Sequence, residues 1–335
     1  MQSNGIKKPT VVIRLSHMGD VALTTGVLAH RHDTHCETFV FITRAANAPL
    51  LKNHPAITET ITLSDADLTT AKWIQRAREL ANRFRDHTLL DLHGTLRSRI
   101  LSIVWNGPVK RYPKYGLYRR LFDRTHMDIF KDKLESTSVP QRYAMALEHT
   151  PPPAQNITPR IYLTQEEKEA AINTLPRSDR PLIALHPYAT HTAKQWPVSH
   201  WNDLTALLDA AGMDWFVVGR NDTPLFPGDP RDFTNATDLR ATCGLLRQAD
   251  MLVTGDSGPM HLASGVDTPV TAIFGPTVKA WGFFPAGVDD QVLERNMDCR
   301  PCSLHGGKSC EKGHECMAAI SPTDVMESLN QRIKR

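Results

Sequence analysis

Several things are scarce or missing in this 335-residue sequence, and each bears on function. No run approaches the ~20 apolar residues of a membrane span, so lipid contact is expected to be peripheral at most. The polar lead before Thr10 has no apolar core of a secretory signal, which makes the cytoplasm the expected compartment. Charge of one sign is missing as well: 39 basic residues against 36 acidic leave a formal +3, with 15 His uncounted. That balance gives no case for nucleic acid as a partner. Internal repeats and low-complexity tracts are absent. Cysteines number six, four of them within one short stretch.

What is present is a soluble globular composition, 41% hydrophobic and 22% charged, in a chain long enough for two domains. Residues 10–15 (TVVIRL) form a continuous apolar run, as expected of a parallel strand buried on both faces. Further strands are expected at 37–43, 58–63 and 88–92, with helices at 20–28, 71–84 and 95–104. After a proline-rich stretch at 150–155, which reads as a linker, the alternation restarts. Strands are expected at 182–186, 215–218, 251–254 and 270–274, and helices at 198–211, 238–249 and 258–265. A final helix, 323–333, is marked by Ser321-Pro322. The class is α/β, with doubly wound parallel sheets in two domains, 1–155 and 156–320. The closing segment 321–335 is a helix able to pack back on the first domain. Ligands of such sheets bind beyond the carboxyl ends of the strands, so the expected site is a cleft between the domains. Cys36 and Cys243 fall in regular elements and are expected in the core.

Three motifs carry chemistry. In 14–25 (RLSHMGDVALTT), Gly19 permits a tight turn and Asp20 stands in the first helical turn. Asp20 is either an ordinary helix cap or a general base. A helix start lowers carboxylate basicity, which a reaction tolerates when the hydroxyl it acts on turns acidic only as its new bond forms. In 185–196 (LHPYATHTAKQW), Thr190, Thr192 and Lys194 are two hydroxyls and a cation, groups that bind a diphosphate; alternatively, Lys194 is a surface residue beside a structural Trp. In 253–263 (VTGDSGPMHLA), an apolar strand meets an abrupt turn at Gly255–Gly258, and a helix follows. Its backbone amides suit an anion, and the Asp256 carboxylate suits sugar hydroxyls.

Together with LLDLHGTLRS in the first half and the full run ADMLVTGDSGPMHLASGVDTPVTAIFGPT, these motifs resemble the bacterial heptosyltransferases of glycosyltransferase family nine. The correspondence spans the chain in order. The resemblance implies a GT-B architecture of two Rossmann-like domains and inverting transfer of heptose from ADP-heptose to a lipopolysaccharide inner-core acceptor. It implies no metal or other cofactor for catalysis, and a place at the inner membrane's cytoplasmic face. Asp20 matches the family's base and Lys194 its phosphate-binding lysine. Thr190 falls at a hydroxyl position on the phosphates, and Asp256 at the carboxylate on the donor sugar. Ser257, Gly258 and Pro259 match the diphosphate turn, which extends to Met260, and His261 falls on the family's nearby His. The sequence departs from the family after strand 215–218. A ribose-binding Glu is common there, whereas this chain has Gly219-Arg220-Asn221-Asp222, with Asp222 the shorter substitute. Alternatives to transfer are a nucleotide-sugar 2-epimerase and a non-catalytic nucleotide-sugar-binding protein.

Two further features stand apart. Cys299, Cys302, Cys310 and Cys316 have a spacing that can close around a structural zinc or iron, with free thiols or oxidised pairs as the other options. Between residues 97 and 124, eight cations (Arg97, Arg99, Lys110, Arg111, Lys114, Arg119, Arg120, Arg124) face only Asp123. This stripe is either a solvated face or a surface for an anionic acceptor or phospholipid, with Arg97 its candidate acceptor contact. Trp196, Trp201 and Trp281 read as core aromatics.

Overall fold

A computed structural model describes residues 8–175, 178–307 and 309–333; the polar lead, 1–7, and the last two residues lie outside these. In chain order the elements begin with β1 Thr10–Ile13, α1 Met18–His35, β2 Phe39–Arg44, β3 Ile57–Leu63, α2 Thr70–Arg83, β4 Leu89–Asp91, α3 Leu96–Val104 and β5 Val109–Arg111. Next come α4 Gly116–Thr125, α5 Asp128–Glu135, α6 Val139–Ala144 and α7 Gln165–Thr174. The remainder are β6 Leu182–His186, α8 Val198–Ala210, β7 Asp214–Val217, α9 Leu239–Gln248, β8 Met251–Gly255, α10 Gly258–Gly265, β9 Val270–Phe274, β10 Gln291–Glu294, α11 Glu315–Ala318 and α12 Pro322–Ile333. The chain forms two compact units, one of Met1–Lys114 with Pro140–Tyr162 and one of Tyr115–Val139 with Leu163–Arg335. Each holds one five-stranded parallel sheet, in the orders β3-β2-β1-β4-β5 and β10-β9-β8-β6-β7. The fold is the two-Rossmann GT-B class. Among the described residues no helix is long and apolar enough to cross a membrane.

In the first unit β1 is the central strand, paired with β2 on one side and β4 on the other. Val11, Val12 and Ile13 are fully buried, which explains an unbroken apolar run where a half-exposed strand would alternate. The proline stretch is not a free linker. Gln141 donates to the Pro152 carbonyl, Ile157 is fully buried, and Thr25 of α1 accepts the Arg160 N–H at 2.9 Å. α1 meets this returning segment closely at Gly26, where an added Cβ would overlap the carbonyl oxygens of Thr158 and Ile157.

In the second unit β6, β8 and β9 are covered by Trp196, Trp201, Leu204 and Leu208, with Trp215 on β7 in the same core. α12 adds Val325, Met326 and Leu329 to this core. α4 and α5 lie within 1–155 in sequence, but their contacts are with the second unit. Phe122 and Leu134 pack on Ala280 and Trp281, and Arg119 donates to the Trp281 carbonyl. Cys243 is buried as expected. Cys36 is not: it is exposed, in the left-handed conformation that ends α1, because the helix runs on to His35.

Gly26→Ala is expected to cost about 3 kcal/mol through backbone overlap that no rotamer relieves. Chemical denaturation measures it, and an unchanged midpoint would show that the α1 contact yields freely.

Candidate functional site

Both candidate clusters form where the strand order turns. In a doubly wound sheet, helices leave two neighbouring strands toward opposite faces, opening a crevice at their carboxyl ends. That point lies between β1 and β4 in the first unit and between β6 and β8 in the second.

In the first unit, β1 delivers Arg14 and the start of α1 delivers Asp20. The helix begins at Met18 with His17 as its cap residue, so Asp20 is not the cap but the third helical residue, and its carboxylate accepts the His17 N–H at 3.2 Å. Arg14 pairs with the same carboxylate, its side chain 8% exposed against 13% for Asp20, and also donates to the Leu92 carbonyl at 2.6 Å. The Tyr143 hydroxyl donates to Asp20 Oδ1 at 3.1 Å. Burial alone would raise the Asp20 carboxyl; the Arg14 guanidinium, the His17 amide and the Tyr143 hydroxyl outweigh it and hold the group below its ordinary value. Burial pushes the Tyr143 hydroxyl up, which keeps it a donor. At the end of β4, Asp91 accepts the N–H groups of His93 and Gly94 and shapes their turn. Burial, then Arg14 and Lys114, drive His93 down to about 3, so its ring is neutral.

The basic stripe is partly structural. Arg97 is exposed, but its Nε donates to the Leu68 carbonyl at 3.1 Å; Lys114 donates to the Gly94 carbonyl at 3.1 Å. Arg111 lies 3.8 Å from Asp91.

In the second unit, Lys194 and Asp256 come together across 62 residues of sequence. Lys194 Nζ donates to Asp256 Oδ2 at 2.6 Å, and each side chain is 14% exposed. Thr277 donates its hydroxyl to the same oxygen at 2.8 Å. Beside them Ser257 Oγ lies 3.1 Å from both His186 Nδ1 and Thr254 Oγ1. Burial pushes His186 down to about 4, so a neutral imidazole supports the Ser257 turn. Ser257 caps α10, which opens with Gly258 and Pro259. Pro259 has no N–H, and Met260 gives its own to the Ser257 carbonyl at 3.3 Å, which narrows the turn's donors to Ser257 and Gly258. The Met260 side chain is fully buried and His261 nearly so, because α10 turns them into the core. Thr190 and Thr192 are exposed on the loop leading to Lys194. Asp222 is exposed after β7 and, among the described residues, shares no hydrogen bond or ion pair with Lys194, Asp256 or Ser257.

Cys299, Cys302, Cys310 and Cys316 are free thiols. They are neighbours: burial and then Cys299 push Cys302 up to about 11, with smaller contributions from Cys316 and Cys310. Among the described residues, however, no group of three or more His, Cys, Asp or Glu side chains is arranged to hold a metal ion. The closed four-thiolate site expected from spacing is not formed in this arrangement.

Sequence reasoning missed Arg14, Tyr143, His186 and Thr277. Arg14 and His186 had a signal, since each follows a buried strand at its carboxyl end. Thr277 had one too, as the last residue of the family-like run just past the strand at 270–274; Tyr143 had none, being placed by tertiary structure alone.

A family model described as glycosyltransferase family 9 (heptosyltransferase) matches residues 77–306. Lipooligosaccharide heptosyltransferase 2 of Haemophilus influenzae is 27% identical over 232 residues, covering 62% of this chain and 66% of that protein, just under two thirds of its length. Among solved structures, a glycosyl transferase family 9 protein from Veillonella parvula superposes with a TM-score of 0.75 at 19% identity, covering 97% of this chain and 96% of its own. The Escherichia coli ADP-heptose LPS heptosyltransferase II gives 0.71 at 20%, covering 97% and 98%.

Arg14→Met would leave Asp20 buried without its cation. At neutral pH this is expected to cost about 3–5 kcal/mol. In the parent protein the depressed Asp20 group contributes stability above its unfolded value near 3.9, lost as pH falls through the lower folded value. In the variant, burial prevails and the group rises, so the penalty is expected to shrink on acidification. Melting temperature against pH measures this; a penalty independent of pH would show that the pair does not set the Asp20 charge.

Proposed function

Because the chain belongs to glycosyltransferase family 9, we propose that it transfers heptose from ADP-heptose to a lipopolysaccharide inner-core acceptor with inversion at the anomeric carbon. The observation that supports this best is the Lys194–Asp256 pair at the switch point of the second sheet: a cation and a carboxylate, within one hydrogen bond, beside a glycine-containing turn. Those groups suit the two halves of a nucleotide sugar. Lys194 takes the diphosphate, with the amides of Ser257 and Gly258, and offsets charge on the leaving ADP, a contribution on the order of several kcal/mol. Lys194 and Thr277 converge on Asp256 Oδ2, which leaves Oδ1 to accept from sugar hydroxyls. Thr190 and Thr192 supply hydroxyls to the phosphates, and Asp222 is the candidate for the nucleotide ribose.

Asp20 acts as the base on the acceptor hydroxyl. Its depressed pKa makes it a weak base, which suits a proton that becomes acidic only as the C–O bond forms. The reaction would take place at the cytoplasmic face of the inner membrane. There the exposed Leu117, Tyr118, Met127 and Ile129, beside Arg120 and Arg124, offer apolar and cationic contacts to an anionic lipid surface.

No cofactor enters these steps. For the cysteine loop we propose a structural zinc or iron held by Cys299, Cys302, Cys310 and Cys316, on the strength of their spacing in the sequence. Metal analysis of natively purified protein decides it: one ion per chain is expected, and its absence after zinc and iron supplementation would remove the proposal.

Asp20→Asn is expected to lower kcat by about 10²–10⁴-fold while ADP affinity stays unchanged. In the parent enzyme the acidic limb of kcat/KM should fall below the ordinary carboxylate value near 3.9, because the base stays ionised down to its depressed pKa. Lys194→Ala should weaken both ADP binding and turnover. Full activity in Asp20→Asn would overturn the base assignment, and an epimer formed from donor alone would replace transfer with epimerisation. With acceptor in anionic vesicles the rate should exceed that with soluble acceptor; no gain would remove the membrane-facing role.

A further inference from the structure

The cysteine-bearing segment does more than cross the surface of the second unit. Arg300, its side chain 5% exposed, donates from Nε to the Gly275 carbonyl, from Nη1 to the Arg295 carbonyl, and from Nη2 to the Thr277 carbonyl at 2.9 Å and the Glu294 carboxylate at 2.6 Å. The Cys302 N–H donates to the Pro276 carbonyl at 3.0 Å. The loop leaving β9 is therefore held at three consecutive residues, and its Thr277 hydroxyl is the one that reaches Asp256. Further along, Gly306 adopts φ +78, with its N–H on the Ser303 hydroxyl at 2.7 Å. A Cβ at Gly306 would come within 2.9 Å of Lys194 Cγ and Cε, so the lysine stem lies directly on the glycine backbone.

We propose that segment 299–306 is the positioning wall of the donor site: Gly306 seats Lys194 for the diphosphate, and Arg300, through Thr277, seats Asp256 for the sugar. The inference rests on the donor-site reading given above. A free lysine samples many rotamers, and fixing its stem places the ammonium before the ligand arrives. Arg300 suits its task because its planar fork meets several carbonyls at once, which an ammonium cannot do. Neither Arg300 nor Gly306 touches the reacting atoms in this reading; each acts through another side chain.

The two arms predict different signatures. By calorimetric titration, Gly306→Ala should weaken ADP binding about tenfold, the order of one charge-assisted hydrogen bond, by displacing Lys194. In a Lys194→Ala background the same substitution should have no further effect, since residues that act through each other are not additive. Thr277→Val should weaken ADP-heptose about tenfold and leave ADP unchanged, and Arg300→Lys should reproduce that split without adding to it. Thermal melts identify any variant that fails to fold; if Gly306→Ala does, Gly306→Asn, which tolerates the positive φ, takes its place with the same expectation. Parent protein that binds neither ADP nor ADP-heptose would sink the donor-site reading. Parent protein that binds ADP, with Gly306→Ala binding equally well or losing affinity additively with Lys194→Ala, would sink the positioning role of Gly306 alone. A Thr277→Val variant with an unchanged ADP-heptose to ADP ratio would sink that of Arg300.

Discussion

A parallel sheet wound in both directions has one place where its chain cannot close over its own top edge, and both clusters form there. Between β1 and β4, and again between β6 and β8, neighbouring strands send their following loops apart. The strands below are buried on both faces, so polar residues appear first where each strand ends. Arg14 and His93 follow β1 and β4; His186 ends β6 and Asp256 follows β8. The chemistry sits on rigid supports for this reason, and the short loops bearing it can vary without disturbing the core.

Charge at these crevices is paired before any ligand is bound. Lys194 has Asp256, and Asp20 has Arg14. An ammonium or carboxylate that is mostly removed from water is costly if left alone, so an internal partner stabilises the empty site. For Lys194 the partner need not be a competitor. In the proposed reading, a diphosphate entering beside Asp256 would add acceptors to an ammonium with three protons to give, so the lysine would bridge them rather than exchange one for the other. In the proposed donor site, Thr277 would keep Asp256 in place while the lysine's attention is divided, and Arg300 would keep Thr277 in place.

The sequence made the second sheet more legible than the loops around it. The expected bounds of β6, β9 and α10 coincide with the observed ones, since continuous apolar runs ending in Gly, Pro or Ser leave little choice. α4 and α5 were not expected at all. Their residues are largely charged, and the few that are buried, Phe122 and Leu134, find their partners near Trp281, far along the chain. The Asp20 cap failed for a local reason: Asp in a first turn fits both the cap position and the third helical position, and only the start at Met18 separates them. Cys36 failed because α1 runs on to His35 and leaves Cys36 at its exposed, left-handed end. Tyr143 lies 123 residues from the carboxylate it meets, beyond any periodicity.

If Asp20 is the base proposed above, its environment poses the sharpest conflict in the molecule, between holding a carboxylate and using it. Three donors from three parts of the first unit fix its orientation, and the same three make it a poor proton acceptor. For a reaction that needed an alkoxide in advance, this arrangement would be self-defeating. Glycosyl transfer does not need one, because the acceptor oxygen gains positive character as it bonds to the anomeric carbon, and its proton then leaves to almost any oriented base. Orientation is what the three donors supply: a carboxylate held on several sides cannot swing away from an incoming hydroxyl, and misplacement costs more rate than modest basicity would recover. Tyr143 contributes on both counts, since its hydroxyl stays protonated over the working range and keeps Oδ1 directed while Arg14 takes Oδ2. A base that is weak and fixed is the arrangement expected when proton transfer follows bond formation rather than leading it.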